Sequence, residues 1–300
     1  MSRILSPSEI NCFTECRVKW DFAYRQHIRF DKYKRAACIG QAVHAGLAAW
    51  YAKEQLANCY KALVAKADKY DMPDEDLVVA KGIFEHYIVF YAKDLDLYEP
   101  LIIETKITES SVGLKCIPDL VLIEKATGKY FIIDHKVITN LVIDKTFDTQ
   151  KIAMYKVLSE RYPISGIIFN LIRSKLPIIP EPIKNNTRLK KFTPASTTES
   201  VFKKALSMYN FQASDYPEAV EYFETHENSF FKRVPVEITV EEIEDFDQRF
   251  ELIQKEIAGG IIYANRQWDC ERSCDYYDMC HTLEDKEESA VVLEKKGLIG

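Results

Sequence analysis

The chain lacks several features that would place it in other classes of protein. Its 300 residues contain no uninterrupted apolar stretch near the roughly 18 residues that cross a bilayer, so we expect no membrane contact. The first residues turn polar too early for a secretory signal peptide, which predicts a cytoplasmic protein. An excess of positive charge is also missing. The net charge of −6 argues against indiscriminate nucleic-acid binding, although a local basic groove can operate on an acidic protein.

Internal repeats and strong linkers are absent as well. The 47% hydrophobic and 12% aromatic content is enough to bury a sizeable core, as one elaborated domain or two small ones. We predict a single domain over residues 1–284, with a helical insert at about 50–98, a basic loop at about 174–200 and a weakly ordered tail at 285–300.

Local patterns predict a mixture of helices and strands. Ser6-Pro7-Ser8-Glu9 has the form of a capping box, which indicates a helix that carries Cys12 and Cys16. Thr239-x-x-Glu242 is a second box, before an apolar helical stripe. Further helices are predicted at 40–54, 75–94 and 149–161, and strands at 101–108, 114–124, 130–137 and 164–172.

Two of these strands carry residues suited to metal-assisted phosphodiester hydrolysis. Side chains alternate along a strand, so Asp134 and Lys136 share one face and His135 points to the other. A hairpin around residues 127–129 would bring Asp119 beside Asp134. Two adjacent carboxylates repel each other, and Mg²⁺ or Mn²⁺ resolves that repulsion. The alternative is a surface hairpin with ordinary charges.

The cysteines are unevenly distributed. Cys270, Cys274 and Cys280 form a Cys-x₃-Cys-x₅-Cys triplet that suits a metal centre, and Cys16 is the candidate for a fourth ligand. Zinc and an iron-sulfur cluster both remain open at this point. The remaining thiols are interpreted as small buried hydrophobes: Cys12, Cys38, Cys59 and Cys116.

One stretch is locally basic. Residues 184–191 carry four cations without an intervening acid, as a phosphate-contacting loop requires: Lys184, Arg188, Lys190 and Lys191. A solvated loop is the alternative interpretation.

Taken in order along the chain, these motifs resemble the PD-(D/E)XK nuclease superfamily, and within it the RecB-like group that includes Cas4, AddB and phage exonucleases. The resemblance covers nearly the whole chain, and residues 167–173 followed by Pro177 look like the phage-type members. It rests on Ser6-Pro7-Ser8-Glu9-Ile10, Gly40-Gln41-Ala42-Val43-His44, Pro118-Asp119, Asp134-His135-Lys136, Arg233-Val234-Pro235 and the closing cysteines.

The resemblance implies roles for individual residues. It makes His44, Asp119 and Asp134 metal ligands together with the backbone carbonyl of Val137, and it makes Lys136 the catalytic lysine. Glu104 is a further candidate, holding a second metal through water. The four cysteines would bind a structural [4Fe-4S] cluster, with zinc as the alternative.

The resemblance also implies a Gln and a Tyr one helical turn apart that orient DNA. Gln150 and Tyr155 are five positions apart, about 140° around a helix, whereas Lys151 and Tyr155 share a face. Either Gln150 or Lys151 therefore fills the position. Lys151 and Arg173 join the basic stretch as candidate DNA contacts.

The expected fold is α/β, a restriction-endonuclease-like mixed central sheet flanked by helices, with an N-terminal helical region and an iron-sulfur clasp joining the termini. The expected function is a Mg²⁺- or Mn²⁺-dependent DNA exonuclease in recombination, repair or processing. It would act in a bacterial cell or phage-infected host, with a helicase or recombinase as a possible partner. The alternatives are a catalytically silent DNA-binding scaffold and a zinc-stabilised hydrolase of RNA.

Overall fold

A mixed five-stranded sheet forms the centre of the protein. The structure, a computed structural model, describes residues 3–28, 30, 33–142, 148–185 and 187–281, so the predicted tail at 285–300 lies outside the described residues. Across the sheet the strand order is β1-β4-β5-β6-β7, and only β5 and β6 run parallel. The strands are β1 (Tyr98–Ile103), β4 (Leu120–Glu124), β5 (Tyr130–Ile138), β6 (Ile164–Arg173) and β7 (Phe231–Val236). The predicted α/β fold with a mixed central sheet is confirmed.

The chain between β1 and β4 forms a separate two-stranded sheet. It consists of β2 (Ile107–Glu109) and β3 (Leu114–Cys116). The prediction of continuous strands at 101–108 and 114–124 was therefore wrong. The backbone leaves the first strand at Glu104, whose φ is 43°, and Pro118 lacks the N–H that a continuous ladder requires. As a consequence, Asp119 lies immediately before the first residue of β4.

Helices precede, cover and follow the sheet. The early ones are α1 (Pro7–Glu15), α2 (Arg17–Trp20) with a π-helical turn (Asp21–Arg25), α3 (Arg35–Tyr51), α4 (Leu56–Asp68), α5 (Asp74–Phe90) and α6 (Asp94–Leu97). The later ones are α7 (Asp148–Ser159), α8 (Glu199–Tyr209), α9 (Pro217–Thr225), α10 (Val240–Ala258), α11 (Cys270–Ser273) and α12 (Tyr277–His281), with 3₁₀ turns at Pro194–Ser196 and Ala213–Asp215. No helix in the described part of the chain is long and apolar enough to cross a membrane.

Alternation along the strands divides the core into two layers. Leu120, Leu122 and Ile133 pack with α3, α4 and α5 on one face of the sheet. Val121 and Ile132 pack with α1, α7 and α10 on the other. Each fully buried aliphatic side chain contributes about 1.5–3 kcal/mol. Asp134 and His135 continue this alternation, and they therefore face opposite layers.

The two predicted capping boxes have different outcomes. At Thr239 both reciprocal bonds with Glu242 form, and α10 begins there. At Ser6 only the hydroxyl accepts a bond, from the Glu9 N–H at 3.2 Å. The Glu9 carboxylate is instead buried, 2.9 Å from the Arg3 guanidinium, and it accepts a bond from Trp20 Nε1. These partners stabilise the buried carboxylate of Glu9 more than a hydrogen bond to the backbone N–H of Ser6 would, so the reciprocal bond of the capping box does not form.

A small lobe separates β6 from β7. It starts with the predicted basic loop, which contains an isolated bridge between Pro182 and Leu189, and it continues through α8 and α9. Leu189, Phe202, Leu206 and Ala219 form its own apolar cluster. Most of the lobe therefore packs around its own cluster, and Leu176 packs against the core of the central sheet.

Candidate active site

One predicted catalytic aspartate immediately precedes β4, and the other lies on the neighbouring antiparallel strand β5. Leu120 of β4 pairs with Ile133 of β5, so Asp119 and Asp134 are the next positions beyond this pair. The carboxylate of Asp119 accepts a hydrogen bond of 2.7 Å from the backbone N–H of His135. This bond ties Asp119 to the strand that carries Asp134.

A group of potential cation ligands forms where α3 crosses the sheet. The His44 Nδ1 atom lies 3.5 Å from Asp119 Oδ1 and 3.8 Å from Glu104 Oε1. One ligand atom from each residue lies within 4.8 Å of the others. Among the described residues Asp134 is not part of this group. The backbone of Glu104 is held by a 3.1 Å bond from its N–H to the Asp119 carbonyl, at a φ that side chains rarely adopt.

Asp134 occupies a buried position beside this group, where the charges of Asp119 and His44 act on its carboxyl. Its Oδ2 atom lies 2.7 Å from Lys136 Nζ, and its Oδ1 accepts a bond of 2.9 Å from Gln150 Nε2. Gln150 Oε1 in turn accepts a bond of 2.8 Å from Lys136 Nζ. The ammonium of Lys136 is thus the cationic partner of the buried Oδ2 atom. A buried carboxylate beside an imidazole and two further carboxylates fits the hard-ligand preference of Mg²⁺ or Mn²⁺.

The two aspartates have opposite pKa shifts. Burial and the charge of Asp119 raise the pKa of Asp134 to about 6, against the opposing effect of Lys136. Burial acts in the same direction on Asp119, but the His44 imidazole and other nearby cationic groups outweigh it and lower the pKa to about 2. The charge of Asp119 also raises the pKa of His44 against the effect of burial. Asp119 therefore ionises first, and a cation bound nearby would favour ionisation of Asp134 as well.

His135 belongs to a buried polar network behind the ligand group. Its Nδ1 atom lies 2.8 Å from the amide nitrogen of Asn170, which also donates a 2.6 Å bond to the Tyr87 hydroxyl. Because an amide nitrogen donates, His135 Nδ1 accepts and the proton lies on Nε2. Burial lowers the pKa of His135 to about 3, so its ring is neutral at physiological pH.

This network continues away from the site. The Tyr87 and Tyr51 hydroxyls are 2.9 Å apart, and Tyr51 donates a bond of 2.6 Å to Asp94. Arg233, on β7, pairs with Asp94. Sequence reasoning missed the roles of Tyr51, Tyr87, Asp94 and Asn170, because they are scattered along the chain without a common period. Arg233 and Asn170 belonged to recognised motifs, which did not predict their place in this network.

The remaining residues of the predicted site differ in burial and in the groups they contact. Gln150 contacts Asp134, whereas Lys151 is buried and donates a 2.7 Å bond to Glu242. That Lys151 contacts DNA stays a prediction, and in the structure its ammonium pairs with Glu242 at the beginning of α10. Tyr155 is partly buried against the apolar layer of α7. Val137 lies in β5, and coordination by its carbonyl stays a prediction.

The other predicted DNA-binding cations lie at the end of β6 and in the lobe between β6 and β7. Arg173, at the end of β6, stacks its guanidinium 5.2 Å from the centre of the Phe230 ring, so part of its surface serves packing. Lys184, Arg188, Lys190 and Lys191 are exposed in the lobe. Lys190 pairs with Glu181 at 2.8 Å. Their contact with DNA stays a prediction.

Four cysteines line one cavity between the first and last helices. The cavity has a volume of about 310 Å³, and its walls include Cys16, Cys270, Cys274 and Cys280. Backbone N–H groups donate to two of the sulfurs, from Asn265 to Cys16 at 3.4 Å and from Gln267 to Cys270 at 3.1 Å. Among the described residues, the cysteine sulfurs do not form a group within 4.8 Å of one another. The sequence prediction that Cys16 approaches the distant triplet agrees with this arrangement.

Carboxylates, an imidazole and an ammonium thus converge at the ends of two central strands, which defines a candidate divalent-cation site with a neighbouring lysine. A sequence model of the PD-(D/E)XK nuclease superfamily matches residues 4–281. The chain belongs to this superfamily, which indicates a metal-dependent nuclease that hydrolyses phosphodiester bonds. A search of curated proteins finds no match to the chain.

Proposed function

We propose that the protein is a Mg²⁺- or Mn²⁺-dependent deoxyribonuclease, an exonuclease that acts in DNA recombination, repair or processing. The observation that carries this proposal is the group formed by His44, Glu104 and Asp119 beside the Asp134–Lys136 pair. His44, Asp119 and Asp134 would hold a divalent cation, with Glu104 as an additional ligand. A bound cation supplies Lewis acidity toward a phosphate oxygen and lowers the pKa of water.

The protein's own groups then have separable tasks. Lys136 places a positive charge 2.7 Å from Asp134, where it stabilises negative charge that develops on the phosphate. Gln150 orients Lys136 and Asp134 at the same time. The neutral His135 contributes its backbone N–H, which fixes Asp119. Tyr155 and the exposed cations of the lobe are proposed to contact the DNA strand.

Cleavage of linear DNA tests the proposal. Wild-type protein is incubated with end-labelled single-stranded and duplex DNA in Mn²⁺, in Mg²⁺ and in excess chelator, beside Asp134→Ala and the control Asp247→Ala. Asp247 is exposed on α10 and pairs with Lys156, so its loss has little effect on stability. We expect metal-dependent shortening by wild type and the control, and a loss of at least about a thousandfold in Asp134→Ala.

Other outcomes of this experiment identify the alternatives. DNA binding by wild type without metal-dependent cutting would contradict the proposal and favour a scaffold. Preference for RNA over DNA would contradict the assigned substrate. Nicking of a closed circular duplex would replace the exonuclease assignment by an endonuclease.

We also propose that Cys16, Cys270, Cys274 and Cys280 bind a [4Fe-4S] cluster. Two observations support it. All four cysteines line one cavity. Backbone N–H donors to Cys16 and Cys270 suit the hydrogen bonding that tunes iron-sulfur centres.

Metal analysis after anaerobic purification tests the cluster. Cys16→Ser is expected to lose iron and acid-labile sulfide. Cys12→Ser is the matched control, because Cys12 lies one turn earlier on α1 and outside the cavity wall. Colourless protein that contains zinc and no iron would contradict this proposal without affecting the nuclease proposal.

A further inference from the structure

A second cavity lies directly beside the candidate active site. It has a volume of about 460 Å³, and its walls include Ser8, Lys106, Lys115, Ile117 and Gln150. Gln150 also bonds to Asp134 and Lys136, and Ile117 is two residues before Asp119. The cavity therefore adjoins the catalytic residues on the side of the sheet covered by α1 and α7. Its volume falls in the usual range for sites that bind small molecules or single ligand units.

The charge of this cavity is opposite to that of the ligand group. Two lysines contribute to its wall, and no acidic residue in the described part of the chain does. Lys106 is exposed and forms no ion pair with a described residue. Lys115 lies 3.6 Å from Glu9, but Glu9 is closer to Arg3, at 2.9 Å. The cations near the cavity therefore outnumber the one carboxylate behind it.

Neutral donors complete the wall. Ser8 and Asn11 are exposed on one side, and Gln150 lies on the other. Hydroxyl and amide groups beside two ammonium groups provide several hydrogen-bond donors and a net positive charge, which is the chemistry that recognises phosphate oxygens. An uncharged ligand would leave the net positive charge of this wall unbalanced.

We propose that this cavity is a subsite for a second phosphate of the substrate strand, next to the phosphodiester that is cut. This inference rests on the proposed nuclease function, and it adds a positioning role for Lys106 and Lys115. A phosphate held here would fix the register of the strand, so the neighbouring linkage reaches the carboxylates. An internal diester and a terminal monoester offer the same oxygens, and the substrates below distinguish them.

Binding without cleavage tests the subsite. The affinity of a labelled short single-stranded oligonucleotide is measured by fluorescence anisotropy in Ca²⁺ over a range of salt concentrations. Lys106→Ala is the primary variant because its side chain is exposed, whereas Lys115→Ala also removes a partner of buried Glu9. Lys255→Ala is the control, since this lysine is exposed on α10 and pairs with Glu251.

The expected effect is electrostatic. Each lysine variant should weaken binding about three- to tenfold and reduce the slope of log affinity against log salt by about 0.7, as one lost phosphate contact on a single strand does. In cleavage assays KM should rise by a similar factor with little change in kcat. The control should match wild type in all of these.

Modified strands identify the bound phosphate. A neutral methylphosphonate at one internal linkage should abolish the difference between wild type and Lys106→Ala if that diester occupies the cavity, and removal of the terminal phosphate should do so if the end occupies it. Equal affinity and salt slope for Lys106→Ala and Lys255→Ala would overturn the subsite. Wild type that binds without cutting would contradict the nuclease proposal instead, and the binding data would still decide the subsite.

Discussion

Gln150 accepts a hydrogen bond of 2.8 Å from the ammonium of Lys136. Its amide nitrogen also bonds to Asp134, so one side chain of α7 fixes both charged groups of β5. The next residue, Lys151, is buried and pairs with Glu242 at the beginning of α10. Gln150 thus contacts the candidate site, whereas Lys151 connects α7 to α10.

This division predicts different effects for the two residues. Gln150→Ala should reduce kcat about ten- to a hundredfold with little change in stability, because Lys136 and Asp134 lose their common orienting partner. Lys151→Met should lower the free energy of unfolding by about 1–3 kcal/mol, because Glu242 loses its partner. Steady-state cleavage and urea unfolding measure the two effects. A larger loss of kcat in Lys151→Met would instead place Lys151 in the DNA-orienting position.

Cation affinity should depend on the residues of the ligand group. His44→Ala and Glu104→Gln should each weaken Mn²⁺ binding at least about tenfold, because each removes a ligand atom from the group within 4.8 Å. Calorimetric titration measures the affinity. His226→Ala, at an exposed histidine after α9, is the control and should bind like wild type. Unchanged affinity in Glu104→Gln would remove Glu104 from the proposed ligand set.

The stability of the metal-free protein should fall as the pH rises from about 4 to about 6. The pKa of Asp134 is raised to about 6 in the folded state, so folding favours its protonated form, and that contribution is lost as the group ionises. The loss should be about 1–3 kcal/mol. The pKa of Asp119 is lowered to about 2, so its contribution changes only below this range.

Urea unfolding in excess chelator measures this dependence. Asp134→Asn is the matched control, because the amide keeps the shape and cannot ionise. The control should show a flatter dependence between pH 4 and 6. Identical profiles for the two proteins would contradict the raised pKa.

Asn170 should be important for stability. Its amide donates to both Tyr87 and His135, and its replacement by Ala leaves buried polar groups without a partner. We expect Asn170→Ala to lower the free energy of unfolding by about 1–3 kcal/mol, as measured with urea. Asn58→Ala, at an exposed position on α4, should change it by less than about 0.5 kcal/mol. Equal effects of the two substitutions would contradict the buried role.

The sequence alone predicted those features of the fold and the site that depend on local patterns. Alternation placed Asp134 and Lys136 on one face, and the turn at Gly128, with a φ of 71°, allowed the hairpin that aligns Asp119 with Asp134. The predicted helix that carries His44 was also found. The spacing of Gln150 and Tyr155 left the DNA-orienting position open, and only the packing of α7 shows which way Gln150 and Lys151 point.

Other features depend on contacts that have no local signature. Glu104 joins His44 because α3 packs across the sheet, and a turn with positive φ is needed to direct its carboxylate there. Arg233 pairs with Asp94 across 139 positions of the chain. No periodicity links such residues, so the polar network behind His135 could not be predicted from the sequence.

The packing of early residues against late ones has a consequence for biosynthesis. Asn265 holds Cys16, Asp275 pairs with Lys34, and Tyr276 donates to the Ile28 carbonyl. On a translating ribosome the segment around Cys16 emerges long before these partners exist. Its apolar side therefore stays uncovered until residues 265–276 have left the exit tunnel, so the packing of this region follows the synthesis of those residues.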